Sequence, residues 1–156
     1  MHRLLALAAA LAVLPPAPAR ADWQYTKWGM TPEEAVKASN GAMKLIPAKE
    51  RKPVELTHTE PVAEGTYKDG ALNVTVEFVI DTASGGLVCV GYAATDIAHN
   101  AALGDWLVKR YGAPPSQMKG PPMDMWNWSK PDTIIFTASD NFAATVTQCK
   151  PGGPIG

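Results

Sequence analysis

The sequence predicts an α+β domain: two helices packed on antiparallel β-meanders, in the order helix, strands, helix, strands. Three observations predict it. Thr31-Pro32-Glu33-Glu34 is a helix start, Leu72 to Ile80 alternates apolar and polar residues, and Ile97 to Tyr111 repeats apolar residues at helical spacing. Strands joined by tight turns pair antiparallel, and helices gathered on one face of such a sheet define the class.

The first element is a leader. Met1-His2-Arg3 is followed by an unbroken apolar run from Leu4 to Leu14, by Pro15, Pro16 and Pro18, and by the small-residue site Ala19-Arg20-Ala21. This is the order of a cleavable secretory signal, and the run is shorter than the roughly 20 apolar residues that span a bilayer. The reading is a signal peptide over residues 1–21, a single domain over 22–150 and a disordered Gly/Pro-rich tail over 151–156. It places the protein in the periplasm or outside the cell, with no transmembrane anchor and no cysteine near the cleavage site to take a lipid. Removing Arg3 and Arg20 makes the balance two charges more negative than the −1 of the full chain. Such a weakly acidic, scattered charge excludes the basic footprint of a nucleic-acid binder.

The first helix begins at Thr31. Its hydroxyl can cap the Glu34 N–H while Glu34 reaches back, with Pro32 in the first turn and Met30 and Ala35 at staple positions. It is expected to run to about Ser39 and stop at Asn40-Gly41. A basic, Pro-containing connection over 42–53 leads to a first strand at Val54 to Thr59. Thr66-Tyr67-Lys68 then meets the turn dipeptide Asp69-Gly70, followed by strands at Leu72 to Ile80 and Leu87 to Ala93 with a loop from Asp81 to Gly86 between them. Thr95 or Asp96 caps the second helix, Ile97 to Tyr111. Lys109 and Arg110 suit its last turn, and Gly112 with Pro114-Pro115 ends it. After a loop over Gln117 to Pro122, three strands are expected at Met123 to Trp128, Thr133 to Ala138 and Phe142 to Cys149. The halves follow one helix–meander plan without aligning residue by residue.

Cys89 and Cys149 are the only cysteines. An even count in an exported chain predicts one structural disulfide between them, and their separation rules out a C-x-x-C redox pair.

Trp28-Gly29-Met30-Thr31 followed by Ala35-Val36 resembles the G-M-T-x-x-x-V opening of the BamE (SmpA/OmlA) group of small envelope proteins and of the related β-lactamase-inhibitory-protein-like folds. Tyr111-Gly112-Ala113-Pro114 is similar to the G-x-P that closes a helix in that group, and Trp126-Asn127-Trp128 to its Trp-bearing strand. The resemblance implies a helix-plus-meander fold and a protein-binding role in the envelope. It carries over no site residue, and this chain lacks the group's lipidation cysteine.

No catalytic set is legible. There is no G-x-S-x-G, no Gly-rich phosphate loop (Gly85-Gly86 reads as a turn) and no H-E-x-x-H. His58 and Glu60 share a face of a possible strand, but two ligands fall short of the four of a closed zinc site. His99 falls in the first turn of the second helix, Glu33 and Glu34 suit capping, and Asp124, Asp132 and Asp140 sit at hairpin starts and turns. No metal or cofactor is expected. The aromatic residues are the candidate surface. Trp126 and Trp128, two apart, point to one face of a strand, while Trp23, Tyr25 and Trp28 crowd the start of the domain. Exposed, such rings bind a protein or a glycan; covered, they fill the core. The leading expectation is a non-enzymatic envelope protein that binds another protein through one face or edge of its sheet. The alternatives are a ligand- or glycan-binding module on the Trp126/Trp128 face, and a hydrolase with carboxylates the sequence does not reveal.

Overall fold

Antiparallel pairing runs through the molecule without a break. The computed structural model describes residues 23–155, so the leader reading lies outside the described residues. Eight strands form one sheet: β1 (Met43–Leu45), β2 (Thr59–Asp69), β3 (Leu72–Asp81), β4 (Leu87–Ala94), β5 (Ser116–Met118), β6 (Asp124–Trp128), β7 (Thr133–Ala138) and β8 (Thr145–Cys149). Their order is β1-β2-β3-β4-β8-β7-β6-β5. Each half is therefore a four-strand meander, and the two last strands, β4 and β8, pair at the seam. Helix α1 (Pro32–Ala38) precedes the first meander and α2 (Asn100–Tyr111) the second.

This corrects the α+β expectation of two helices packed on meanders. The sheet dominates the fold, and the helices are only 7 and 12 residues long. The helix signals were local and sound. Thr31 and Glu34 close the capping box, at 3.3 Å from the Glu34 N–H to Thr31 Oγ1 and 2.9 Å from the Thr31 N–H to Glu34 Oε2. What the signals do not convey is how little each helix buries: Ala35 alone from α1, and Leu103, Gly104 and Leu107 from α2. The sheet meanwhile gains edge strands β1 and β5, each three residues long and too short to show a period.

Boundaries also move, the last strand beginning at Thr145 and not at Phe142. Val54 to Thr59 is not a strand: Glu55–Thr57 forms a 3-10 turn, and His58 at φ 52° turns the chain before β2 begins. The second helix opens with a 3-10 turn over Ile97–His99. Asp96 stands at the start of that turn, and its Oδ1 bonds His99 Nδ1 at 2.8 Å. That bond holds the Asp96 carboxyl below its ordinary pKa.

The main core lies on one face, and a small separate cluster surrounds the disulfide. Leu72, Val74, Val76, Phe78 and Ile80 of β3 all point to the main core, as the period of two requires. Trp23 lies among Tyr25, Tyr67, Phe78 and Tyr92, with ring centroids 5.5–6.1 Å apart. Beside this cluster a buried polar network joins distant parts of the chain. Asp132, fully buried, accepts from Trp28 Nε1 at 3.1 Å and from Gln148 Nε2 at 2.6 Å. Gln148 Oε1 accepts from the hydroxyls of Tyr92 at 3.3 Å and Tyr111 at 3.1 Å.

Cys89 and Cys149 are bonded and stand directly opposite each other on β4 and β8. The bridge therefore clamps the seam between the halves. Beyond it the chain turns back, and Ile155 packs against the bridge with Val79 and Val88. No described helix is long and apolar enough to cross a membrane.

Candidate functional site

The face opposite the core is defined by parity and register. On β3, Thr75 and Glu77 lie between core residues and are exposed. Register carries that parity across the whole sheet in one row: Lys44, Glu64, Glu77, Gly91, Thr147, Ile135, Asn127 and Ser116, each paired with the next. A parallel row runs from Thr66 through Thr75, Ala93 and Thr145 to Thr137. The hydroxyls of Thr137 and Thr145 are 2.7 Å apart. Among the described residues no helix covers this face. In these rows β4 and β8 carry only Gly91, Ala93, Thr145 and Thr147, so an incoming backbone can approach the sheet closely there.

The face is concave. A trough of about 830 Å³ lies over β1 to β4 and β8, lined by Lys44, Glu64, Thr66, Thr75, Glu77, Gly91, Ala93, Thr145 and Thr147. At the disulfide end it meets a smaller apolar niche of about 200 Å³, lined by Val54, Pro61, Val79, Pro154 and Ile155; Glu77, Gly91 and Thr147 line both.

Glu64 and Glu77 are the charged centre of the trough. They are direct cross-strand neighbours, where like charges repel. Glu77 remains open to solvent, yet crowding by the surrounding protein and, next, the charge of Glu64 raise its pKa. Lys44 stands opposite Glu64 in register without closing an ion pair; among the described residues the ion pairs are Arg51–Glu60 at 3.8 Å and His99–Asp96 at 2.8 Å.

The aromatic residues lie on the other face. Trp128 is buried, and its Nε1 donates to the Gly112 carbonyl at 3.1 Å. Trp126 packs against Phe136 at 4.7 Å between centroids, and a Cβ built at Gly104 of α2 would stand 3.3 Å from its ring. The pair does share one face, but α2 covers it, so it offers no exposed double-ring platform. Trp23 is buried, and Tyr25 is pushed up to about pKa 12 by burial and by Tyr67. His58 lies in the turn before β2, and Glu60 pairs with Arg51, so the two form no shared strand face. Among the described residues no three potential ligands gather to hold a metal. Asp124 accepts the Gly120 N–H at 2.9 Å, a turn role.

Sequence reasoning missed Glu64. The register shift between Pro61 and Ala63 buries Val62 and Ala63 consecutively and erases the alternation that would have marked the strand. Glu77 was legible as an outward polar residue, but its partner across the strands was not.

Fold and face define a class: a small β protein with one eight-stranded antiparallel sheet, two short helices and buried rings on one side, and an open acidic trough on the other. No family model, no curated protein and no solved structure matches the chain.

Proposed function

We propose that this is a non-enzymatic, exported envelope protein that binds another protein on the open face of its sheet. The uncovered trough is the observation that carries the reading. Strands β1 to β4 and β8, of 3, 11, 10, 8 and 5 residues, make a face of roughly 600 Å² at ~3.3 Å rise and ~4.8 Å spacing, most of the ~800 Å² one partner contributes to a standard protein interface. A small molecule would use a fraction of it. The leader and the internal disulfide support an oxidising compartment, and the resemblance to the BamE group at Trp28 to Val36 leads the same way. A glycan platform at Trp126 and Trp128 draws no support from their covered positions.

Site-specific photo-crosslinking tests this. A photoreactive residue at Thr147, in the trough, is expected to yield a discrete protein adduct in envelope extract, and one at exposed Asp105 on α2 to yield none. Equal labelling at both, or no adduct at Thr147, overturns the reading.

A second reading, a hydrolase, draws on Glu64 and Glu77. Two neighbouring carboxylates, one with a raised pKa, are the raw material of acid–base chemistry. Turnover of chromogenic glycosides or esters that Glu77→Gln abolishes would establish it. Absence of such turnover leaves binding as the function.

A further inference from the structure

Resting on the protein-binding reading of the trough, the chemistry of its floor identifies what the partner brings. Glu64 and Glu77 face each other across β2 and β3, an arrangement that weakens the free sheet. No described cation closes an ion pair with either. Arg51 is engaged by Glu60, and Lys44 lies on the far side of Glu64, two strands from Glu77. Gly91, next to Glu77 in the row, has no side chain, so the Glu77 carboxylate is open from the β4 side. A Cβ at residue 91 would find only Glu77 within contact, at 3.9 Å, so there is room above it. Thr147 adds a hydroxyl on the next strand. Immediately beside this charge lies the apolar niche, with Val54 47% exposed at its rim.

We propose that the docking loop of the protein partner presents a lysine or arginine to the Glu64–Glu77 pair, and an aliphatic or aromatic neighbour to the niche against Val79 and Ile155. The cation relieves the repulsion between the two carboxylates. A charge-assisted bond in a partly desolvated trough is stronger than a neutral one, and the adjacent apolar contact expels water from it. Burial raises the pKa of Glu77 first, and the charge of Glu64 adds to it. A divalent metal is the poorer occupant, since calcium takes six to eight oxygen ligands and the pair supplies few.

The test is selection of disulfide-closed random peptide loops displayed on phage against the protein. Enriched loops are expected to carry Arg or Lys beside an apolar residue. Each of Glu64→Gln and Glu77→Gln is expected to weaken their binding about tenfold, the worth of one charge-assisted bond. Gly91→Trp and Thr147→Trp, which fill the trough, are expected to abolish it, and Asp105→Asn on α2 to leave it unchanged. Near-ultraviolet circular dichroism checks that each variant folds. Loops that both tryptophan variants block, but that lack a basic residue or tolerate Glu77→Gln, overturn the cation and leave the trough standing. Loops indifferent to both tryptophans, or no enriched loop at all, overturn the trough and the cation together.

Discussion

Glu77 and Asp132 show how differently a carboxylate behaves on the two faces of one sheet. Glu77, facing Glu64 in the trough, has its pKa raised above the ordinary 4.5. Ionising it therefore costs stability above its folded pKa, and that cost disappears as pH falls through the folded and then the unfolded value. Glu77→Gln is accordingly expected to raise the melting temperature at pH 7 and to have no effect below pH ~4. The gain is under about 1 kcal/mol, because water screens an accessible pair. A melt series across pH checks both sign and window. Asp132, fully buried, accepts from Trp28 and Gln148. Asp132→Ala strands the Gln148 amide and the Trp28 indole, and is expected to cost about 3 kcal/mol in urea denaturation. It was legible only as a turn residue, because its partners lie 104 and 16 positions away.

At the scale of elements, the edge of the first meander depends on one missing side chain. A Cβ on Gly65 of β2 would collide with the Ala42 carbonyl and the Met43 sulfur. Because backbone cannot yield as a flexible side chain does, Gly65→Ala is expected to cost about 1–3 kcal/mol and to loosen β1, seen as faster amide exchange at Met43 to Leu45. The α1 cap is independent of that packing. Thr31→Ala removes the side-chain half of the box and is expected to cost about 1 kcal/mol in the same assay. The cap was readable from four consecutive residues. The β2 strand was not, because its bulge places Val62 and Ala63 both inside.

For the molecule as a whole, the seam between β4 and β8 unites two meanders into one sheet, and Cys89–Cys149 closes it across 60 positions of chain. The Cys89→Ala/Cys149→Ala variant is expected to lose about 4 kcal/mol by the chain-entropy model, measured by calorimetry. All four tyrosines have raised pKa values, and burial is the first cause in each: Tyr25 to about 12, Tyr67 and Tyr111 upward, Tyr92 well above its usual 10. Stability on this account is full below pH 10 and declines as pH rises beyond it. Absorbance titration of the native protein is expected to show tyrosinate appearing later than in urea.

The sequence by itself determined what depends on neighbours a few residues apart: the α1 cap, the parity of β3, the turn at Asp69-Gly70, the end of α2 at Gly112. The count of two cysteines sufficed to pair them. Only the tertiary structure decided that the sheet is single and dominant, that α2 covers Trp126 and Trp128, and that Glu64 meets Glu77 on the uncovered side. Those outcomes rest on strand register, in which a single bulge reassigns the face of every residue after it, and register is set by contacts between segments far apart in the chain.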